Sequence, residues 1–160
     1  MREAQAGSAP AVEALFRAHW RSAYRAAYLV IHDASAAEDV AQEAFLAALR
    51  RLDTFDRKRP FGPWLHRIVV NRAIDWGRRR QLRQEAELEE AGAPQSPADI
   101  SDETVAALAE LTVEHRAVIV LRHLLGYTPG EIAEILDIPR GTVNSRLRRG
   151  LDTLKDGLPS

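Results

Sequence analysis

The sequence predicts an all-α protein made of two small helical domains joined by a flexible acidic linker. Three observations carry this. Apolar residues recur at helical spacing along most of the chain, and no period-2 run marks a strand. The stretch Gly92-Ala93-Pro94-Gln95-Ser96-Pro97 cannot hold a helix and divides the sequence. The total of 160 residues leaves each half too small for more than a simple bundle. The expected domains are residues 10–83 and 102–158, with 84–101 between them.

Helical periodicity places a first helix over 11–31, with Leu15, Tyr24, Tyr28 and Ile31 among its apolar positions. A second starts near Ser35, which forms a Ser-x-x-Glu capping box with Glu38. It carries one continuous stripe of Ala37, Val40, Ala41, Ala44, Phe45, Ala48 and Leu52. A third follows Pro63, a good first-turn residue, and buries Leu65, Ile68, Val69 and Trp76 before ending in Arg78-Arg79-Arg80. The Glu-rich stretch 85–90 either extends this helix or belongs to the linker. In the second half, helices are expected at 103–110, 114–125, 128–136 and 140–155.

The net charge of −1 is a cancellation of blocks. Residues 33–56 sum to −4, 57–83 to +8, 84–114 to −9 and 140–155 to +4. Two basic blocks held apart by an acidic one predict two polyanion-binding surfaces with a spacer that avoids polyanions. Cysteine is absent, which excludes disulfides, thiolate metal sites and a cysteine nucleophile. No run of about 18 apolar residues is present to span a membrane. Met1–Pro10 lacks the apolar core of a secretory signal, so a cytoplasmic protein is expected.

The clearest motif runs from Tyr127 to Arg149 and reads as a helix-turn-helix. Thr128 caps, Pro129 takes the first helical position and Glu131 closes a capping box. Ile132, Ala133, Leu136 and Ile138 form the apolar side, and Asp137-Ile138-Pro139 makes the turn. Val143 and Leu147 face inward in the second helix, which leaves Arg140, Thr142, Asn144, Ser145, Arg146, Arg148 and Arg149 for other faces. Such a helix can enter a major groove, where Arg pairs with guanine, Asn with adenine, and the remaining groups hold phosphates.

Two features of residues 33–83 point to further partners. Asp39, Gln42, Glu43 and Leu46 share a helix face opposite the core stripe, and Leu46 within an acidic face suggests a protein surface. The loop 53–64 interleaves Arg57, Lys58 and Arg59 with Phe55, Phe61 and Trp64. Cations that track phosphates beside rings that receive bases suit single-stranded DNA. The bland reading is that Phe61 and Trp64 anchor the loop in the core.

The segments DASAAEDVAQEAFL (33–46), WLHRIVVNRAID (64–75) and GTVNSRL (141–147) resemble the group IV, or extracytoplasmic function (ECF), sigma factors of bacterial RNA polymerase. The likeness extends over about residues 11–155, with the three motifs in the same order and spacing. It implies that region 2, at the front, melts and reads the −10 element, while region 4, at the rear, reads the −35 element. It implies that Asp39, Gln42, Glu43 and Leu46 meet the polymerase β′ clamp helices and that region 4 touches the β flap. It implies that Arg57, Lys58, Arg59, Phe61, Trp64, Arg67, Asn71, Arg78, Arg79 and Arg80 serve the melted −10 strand. Arg140, Thr142, Asn144, Ser145, Arg146 and Arg149 would enter the −35 groove. An anti-sigma partner, a monomeric free state and the absence of any cofactor are also implied. Asn144 departs from the pattern, since Arg is frequent there, which leaves the −35 preference open. Pro129-Gly130 departs only at a helix start.

Two other readings compete. An ordinary helix-turn-helix regulator would bind duplex DNA alone as a dimer, yet no dimerisation helix follows residue 155 and the basic–aromatic loop goes unexplained. A nucleic-acid enzyme would need a ligand cluster or catalytic pair. The five histidines make no i, i+4 pair, and Asp39 with Glu43 has no further ligand nearby in sequence. Along the third helix Arg72, Asp75 and Arg79 are spaced so that Asp75 can pair with either neighbour, a structural role.

Overall fold

The computed structural model describes residues 1–87 and 99–157. Among them the secondary structure is helical throughout: α1 (Arg2–Gln5), α2 (Ala9–Ile31), α3 (Ala34–Arg50), α4 (Phe61–Glu87), α5 (Asp102–Ala109), α6 (Val113–Ile119), α7 (Pro129–Leu136) and α8 (Arg140–Asp156). A 3-10 turn at Leu52–Thr54 precedes the basic loop, and a π-helical turn at Val120–Leu124 continues α6. The centre of the expected linker, 88–98, lies outside the described residues.

Helix ends follow local chemistry. Ser8 caps α2 through the Ala11 N–H, Ser101 caps α5 through Thr104, and Thr112 caps α6 through His115. Each such cap stabilises its helix by about 1 kcal/mol. The Thr128–Glu131 capping box is present in both directions, at 3.2 and 3.0 Å. His32 ends α2 in the left-handed region, with φ of 60°. Asp137 ends α7 in the same way, with φ of 53°.

Four expectations need correction. The cap of α3 is Asp33, not Ser35: its carboxylate accepts from the Ala36 N–H at 3.0 Å and also meets Arg80 at 2.9 Å. Two oxygens satisfied at once favour this start over the Ser35–Glu38 box. The α4 helix begins at Phe61, before Pro63, and runs through Glu87, so the first residues assigned to the linker are helical. The last residues of the expected linker are also packed, since Ile100 is buried and Asp99 meets Arg25 at 3.0 Å. The Arg72 guanidinium reaches Glu43 on α3, at 3.6 Å, and not Asp75.

The front bundle packs α2, α3 and α4 through small residues. Ala23, Ala26, Ala27, Ala37, Ala41, Ala44 and Ala48 are inaccessible and let the backbones approach, while Leu29, Leu65, Val69 and Val70 fill the middle. The rear bundle gathers Leu108, Val118, Leu121, Ile132 and Val143 between α5 and α8. There α8 crosses α6 so closely that a Cβ at Gly150 would stand 2.9 Å from Ile119. The two bundles share one continuous apolar core, because α4 packs against α6 and α7, and α2 against α6.

Candidate nucleic-acid interface

The outward face of α3 holds the four residues expected to meet a protein. Asp39, Gln42, Glu43 and Leu46 are all exposed, and Leu46 keeps 52% of its surface accessible. The opposite face of the helix buries Ala37, Val40, Ala41, Ala44 and Ala48. The helix is therefore buried on one side and exposed on the other, where Glu43 meets only Arg72 of α4, at 3.6 Å.

Beside it, α3 and α4 enclose an open groove of about 710 Å³. Its walls carry Trp64, Arg67, Asn71, Arg72, Trp76 and Arg79, with Glu43 at the rim. Arginines for phosphates and indole edges for bases lie together here, which suits an unpaired strand. The basic loop borders a second cleft, of about 470 Å³, which shares Trp64 and Arg67 with the groove. Arg57, Lys58 and Arg59 are exposed, and Asp56 holds the turn by accepting from the Lys58 N–H at 3.0 Å.

The three rings of the loop do different work. Phe55 and Phe61 are buried, with 6% and 7% of their surface accessible. Trp64 is half-buried, packed 4.9 Å from Phe55 and 5.7 Å from Phe61 between centroids. Phe61 also meets the His19 ring edge-on at 4.9 Å. Phe61 therefore anchors the loop, against the expectation that it faces the strand; Trp64 remains on the groove wall. Sequence reasoning missed Gln5, whose side-chain amide donates to the Leu52 and Phe55 carbonyls at 2.9 and 3.0 Å and pins the base of the loop.

The arginine run at 78–80 divides by helical phase. Arg79 is exposed and lines the groove. Arg80 turns back to Asp33 and covers the Trp76 ring at 5.1 Å, a structural duty that takes it off the strand side. Arg78 donates to Glu114 at 2.6 Å.

In the rear bundle Val143 is fully buried, which orients α8. Arg140, Asn144 and Arg149 are exposed along its outer side, while Thr142, Ser145 and Arg146 are half-buried. Pro139 precedes the helix without a side-chain cap, and its carbonyl accepts from the Thr142 and Val143 N–H groups at 3.0 and 3.2 Å.

Residues 15–83 match the family model for Sigma-70 region 2, and residues 101–154 match that for Sigma-70 region 4. The chain is 35% identical to the ECF RNA polymerase sigma factor SigW of Bacillus subtilis, over 84% of this chain and 82% of the relative. The chain belongs to the ECF sigma factors. It is 36% identical to SigM of Mycobacterium tuberculosis, over 90% of this chain and 75% of that one. Among solved structures, CnrH in complex with the cytosolic domain of CnrY superposes with a TM-score of 0.70 at 29% identity, covering 97% of this chain and 92% of that one. The fold is also that of RpoE in complex with the anti-sigma factor NepR from Bartonella quintana, with a TM-score of 0.73 at 22% identity, covering 90% and 94% of the two chains. As a sigma factor, the chain directs RNA polymerase in transcription initiation.

Regions 2 and 4 meet along α4, through residues the sequence had assigned elsewhere or passed over. The Asn71 amide donates to the Ile135 carbonyl at 2.8 Å. His66 lies between the Tyr127 hydroxyl, 2.6 Å from Nδ1, and the Ser22 hydroxyl, 2.7 Å from Nε2. Burial holds its pKa down at about 4, so the ring is neutral there. Arg116 donates to the Val30 carbonyl of region 2 at 2.6 Å and to the Leu108 and Leu111 carbonyls of its own region at 2.8 and 2.9 Å. Gly77 makes the notch for Val113, since a Cβ there would lie 2.6 Å from a Val113 methyl. An interior helical glycine was the one sequence signal of that close approach.

Proposed function

We propose that region 2 docks on the β′ clamp helices of bacterial core RNA polymerase through Asp39, Gln42, Glu43 and Leu46. The α3–α4 groove and the loop at 53–60 then take the melted −10 strand, with Arg57, Lys58, Arg59, Trp64, Arg67, Asn71, Arg72 and Arg79 as its contacts. Region 4 reads the −35 duplex through Arg140, Thr142, Asn144, Ser145, Arg146 and Arg149, and it touches the β flap. The observation that carries this reading is the adjacency of the exposed α3 face and the basic–indole groove. A surface that docks on polymerase stands beside one suited to an unpaired strand.

The mechanism needs no catalytic residue. Opening duplex DNA costs about 1.4 kcal/mol per stacked step. A groove that binds the separated strand better than the duplex offsets this cost and shifts the population toward the open promoter. Phosphate contacts make the binding fall steeply with salt. The chain is thus a binding factor and not an enzyme, and it acts in the cytoplasm where the polymerase is. The complexed state of the related RpoE with its anti-sigma factor supports an anti-sigma partner here. The boundaries that fit this division are 10–83 for region 2 and 102–158 for region 4.

The test is runoff transcription with core polymerase on genomic fragments, followed by start-site mapping. Specific starts preceded by shared −35 and −10 elements are expected. A chain that never joins core, or joins it without directing initiation, would remove the proposal.

A further inference from the structure

We infer that Gln5 of α1 is a positioning residue for −10 recognition: by holding the stem of the loop at 53–60 it fixes the register in which the loop meets the melted strand, and so sets discrimination among −10 sequences. This rests on the assignment of that loop to the strand.

The loop hangs between buried residues. Leu52 and Phe55 are buried at its start and Phe61 at its end, while residues 56–60 between them are all exposed. Phe55 meets Phe61 edge-on at 5.7 Å between centroids, which ties the two ends of the exposed span together. A second tie comes from outside the loop. The Gln5 Nε2 group donates to the Leu52 carbonyl at 2.9 Å and to the Phe55 carbonyl at 3.0 Å. One amide thus commits both of its N–H groups to two backbone carbonyls that flank the 3-10 turn. Directly after Phe55 come the residues that would face the strand, so an error in the placing of this stem is passed on to all of them.

The α1 helix is itself held, so it can serve as a fixed point. Ala4 is buried, with α1 packed on α2. Gly7 turns the chain from α1 into α2 at a φ of 89°, and the Ser8 N–H donates back to the Glu3 carbonyl at 3.0 Å. A helix of four residues has no stability of its own, so this packing and this turn keep it in place. A loop ordered before binding loses less freedom on binding, and it presents Arg57, Lys58 and Arg59 in one register. A loosened loop can shift to follow a mismatched strand. Discrimination is a difference of affinities, so adaptation to the wrong sequence reduces it even where binding persists.

The test is runoff transcription with core polymerase on promoters that differ only in the −10 element. Gln5→Met keeps the length of the side chain and removes its donors. Gln5→Glu places acceptor oxygens against the same two carbonyls. Both should lower the ratio of cognate to mismatched transcription by about fivefold, the weight of one ordinary hydrogen bond, with Gln5→Glu the more affected. Gly7→Val touches neither carbonyl but strains the left-handed turn, and it should act in the same direction. Glu3→Ala, exposed on the same helix, should match the parent. A global loss of stability lowers transcription from every promoter alike and leaves the ratio fixed, so the ratio separates positioning from mere support. Hydrogen exchange in the free chain gives a readout independent of transcription. The Phe55 and Arg59 amides, which bond within the loop at 3.1 and 3.0 Å, should exchange faster in Gln5→Met. An unchanged ratio in both Gln5 variants, an equal fall on every promoter, the same fall in Glu3→Ala, or unchanged exchange overturns the proposal. The triple variant Arg57→Ala, Lys58→Ala, Arg59→Ala tests the assignment beneath it. If that variant is impaired and the Gln5 variants are not, the brace alone has failed. If it transcribes as the parent does, the loop does not meet the strand, and both readings fall.

Discussion

Replacing Arg116 by Met keeps the aliphatic stem and deletes the guanidinium that joins the α5–α6 corner to the end of α2. Three short hydrogen bonds disappear, to Val30, Leu108 and Leu111, along with a longer one to Ala109 at 3.4 Å. Burial lowers the Arg116 pKa to about 10, which still leaves it charged near neutrality. Hydrogen bonds from a charged donor are worth about 1.5–3 kcal/mol each, and the carbonyls left behind lose a partner. Because the three share one group, their losses do not add, and about 3–5 kcal/mol is expected. That is a large part of the 5–15 kcal/mol typical of a whole domain. Urea unfolding followed by far-UV circular dichroism measures it, with an earlier midpoint at unchanged slope. A loss below about 1 kcal/mol would show that water replaces the guanidinium at these carbonyls and that the clasp contributes little.

Asp39→Ala with Glu43→Ala should weaken association with core polymerase and leave −35 duplex binding by region 4 unchanged, as read by co-elution and by gel shift. Asn144→Ala should weaken −35 binding by about 1–3 kcal/mol, roughly 5- to 150-fold, if it makes a bidentate base contact, and should spare core association. Acidification should loosen the closed chain between about pH 6.5 and pH 4. His32 is held down at about 4 by burial and then by Arg116, and His66 by burial and then by His19, so the unfolded chain takes up protons first and stability falls with falling pH. Melting temperatures that stay flat across that window would contradict the sign.

The sequence was most legible where a single helix decides its own fate. The stripe of α3 and the caps of α7 depend on residues three or four apart, so periodicity and capping rules found them. Asp33 against Ser35 was not decidable in that way, since both cap well and the choice turns on Arg80, far along the chain. The burial of α4 on several sides was hidden for a related reason. A helix packed by α2, α3, α6 and α7 has no single polar face, so its polar residues do not announce which neighbour they meet. Asn71 and Arg78 accordingly read as exposed strand contacts, although both touch region 4 in the folded chain. Phe61 and Trp64 are three residues apart in one loop-to-helix passage, and only tertiary packing separates the buried anchor from the groove wall.

The charge blocks take on a different meaning once the two regions are placed together. In sequence, residues 84–114 look like a spacer whose acids merely avoid DNA. In the fold, two of those acids cross to region 2: Asp99 to Arg25 and Glu114 to Arg78. A purely solvated spacer would have no reason to place carboxylates within ion-pair distance of arginines on another bundle. Exposed pairs of this kind contribute little stability alone, commonly under about 1 kcal/mol. The near-zero net charge thus follows from a chain whose rear half carries counter-charge for its front half, and the alternation of blocks along the sequence is that complementarity laid out in one dimension.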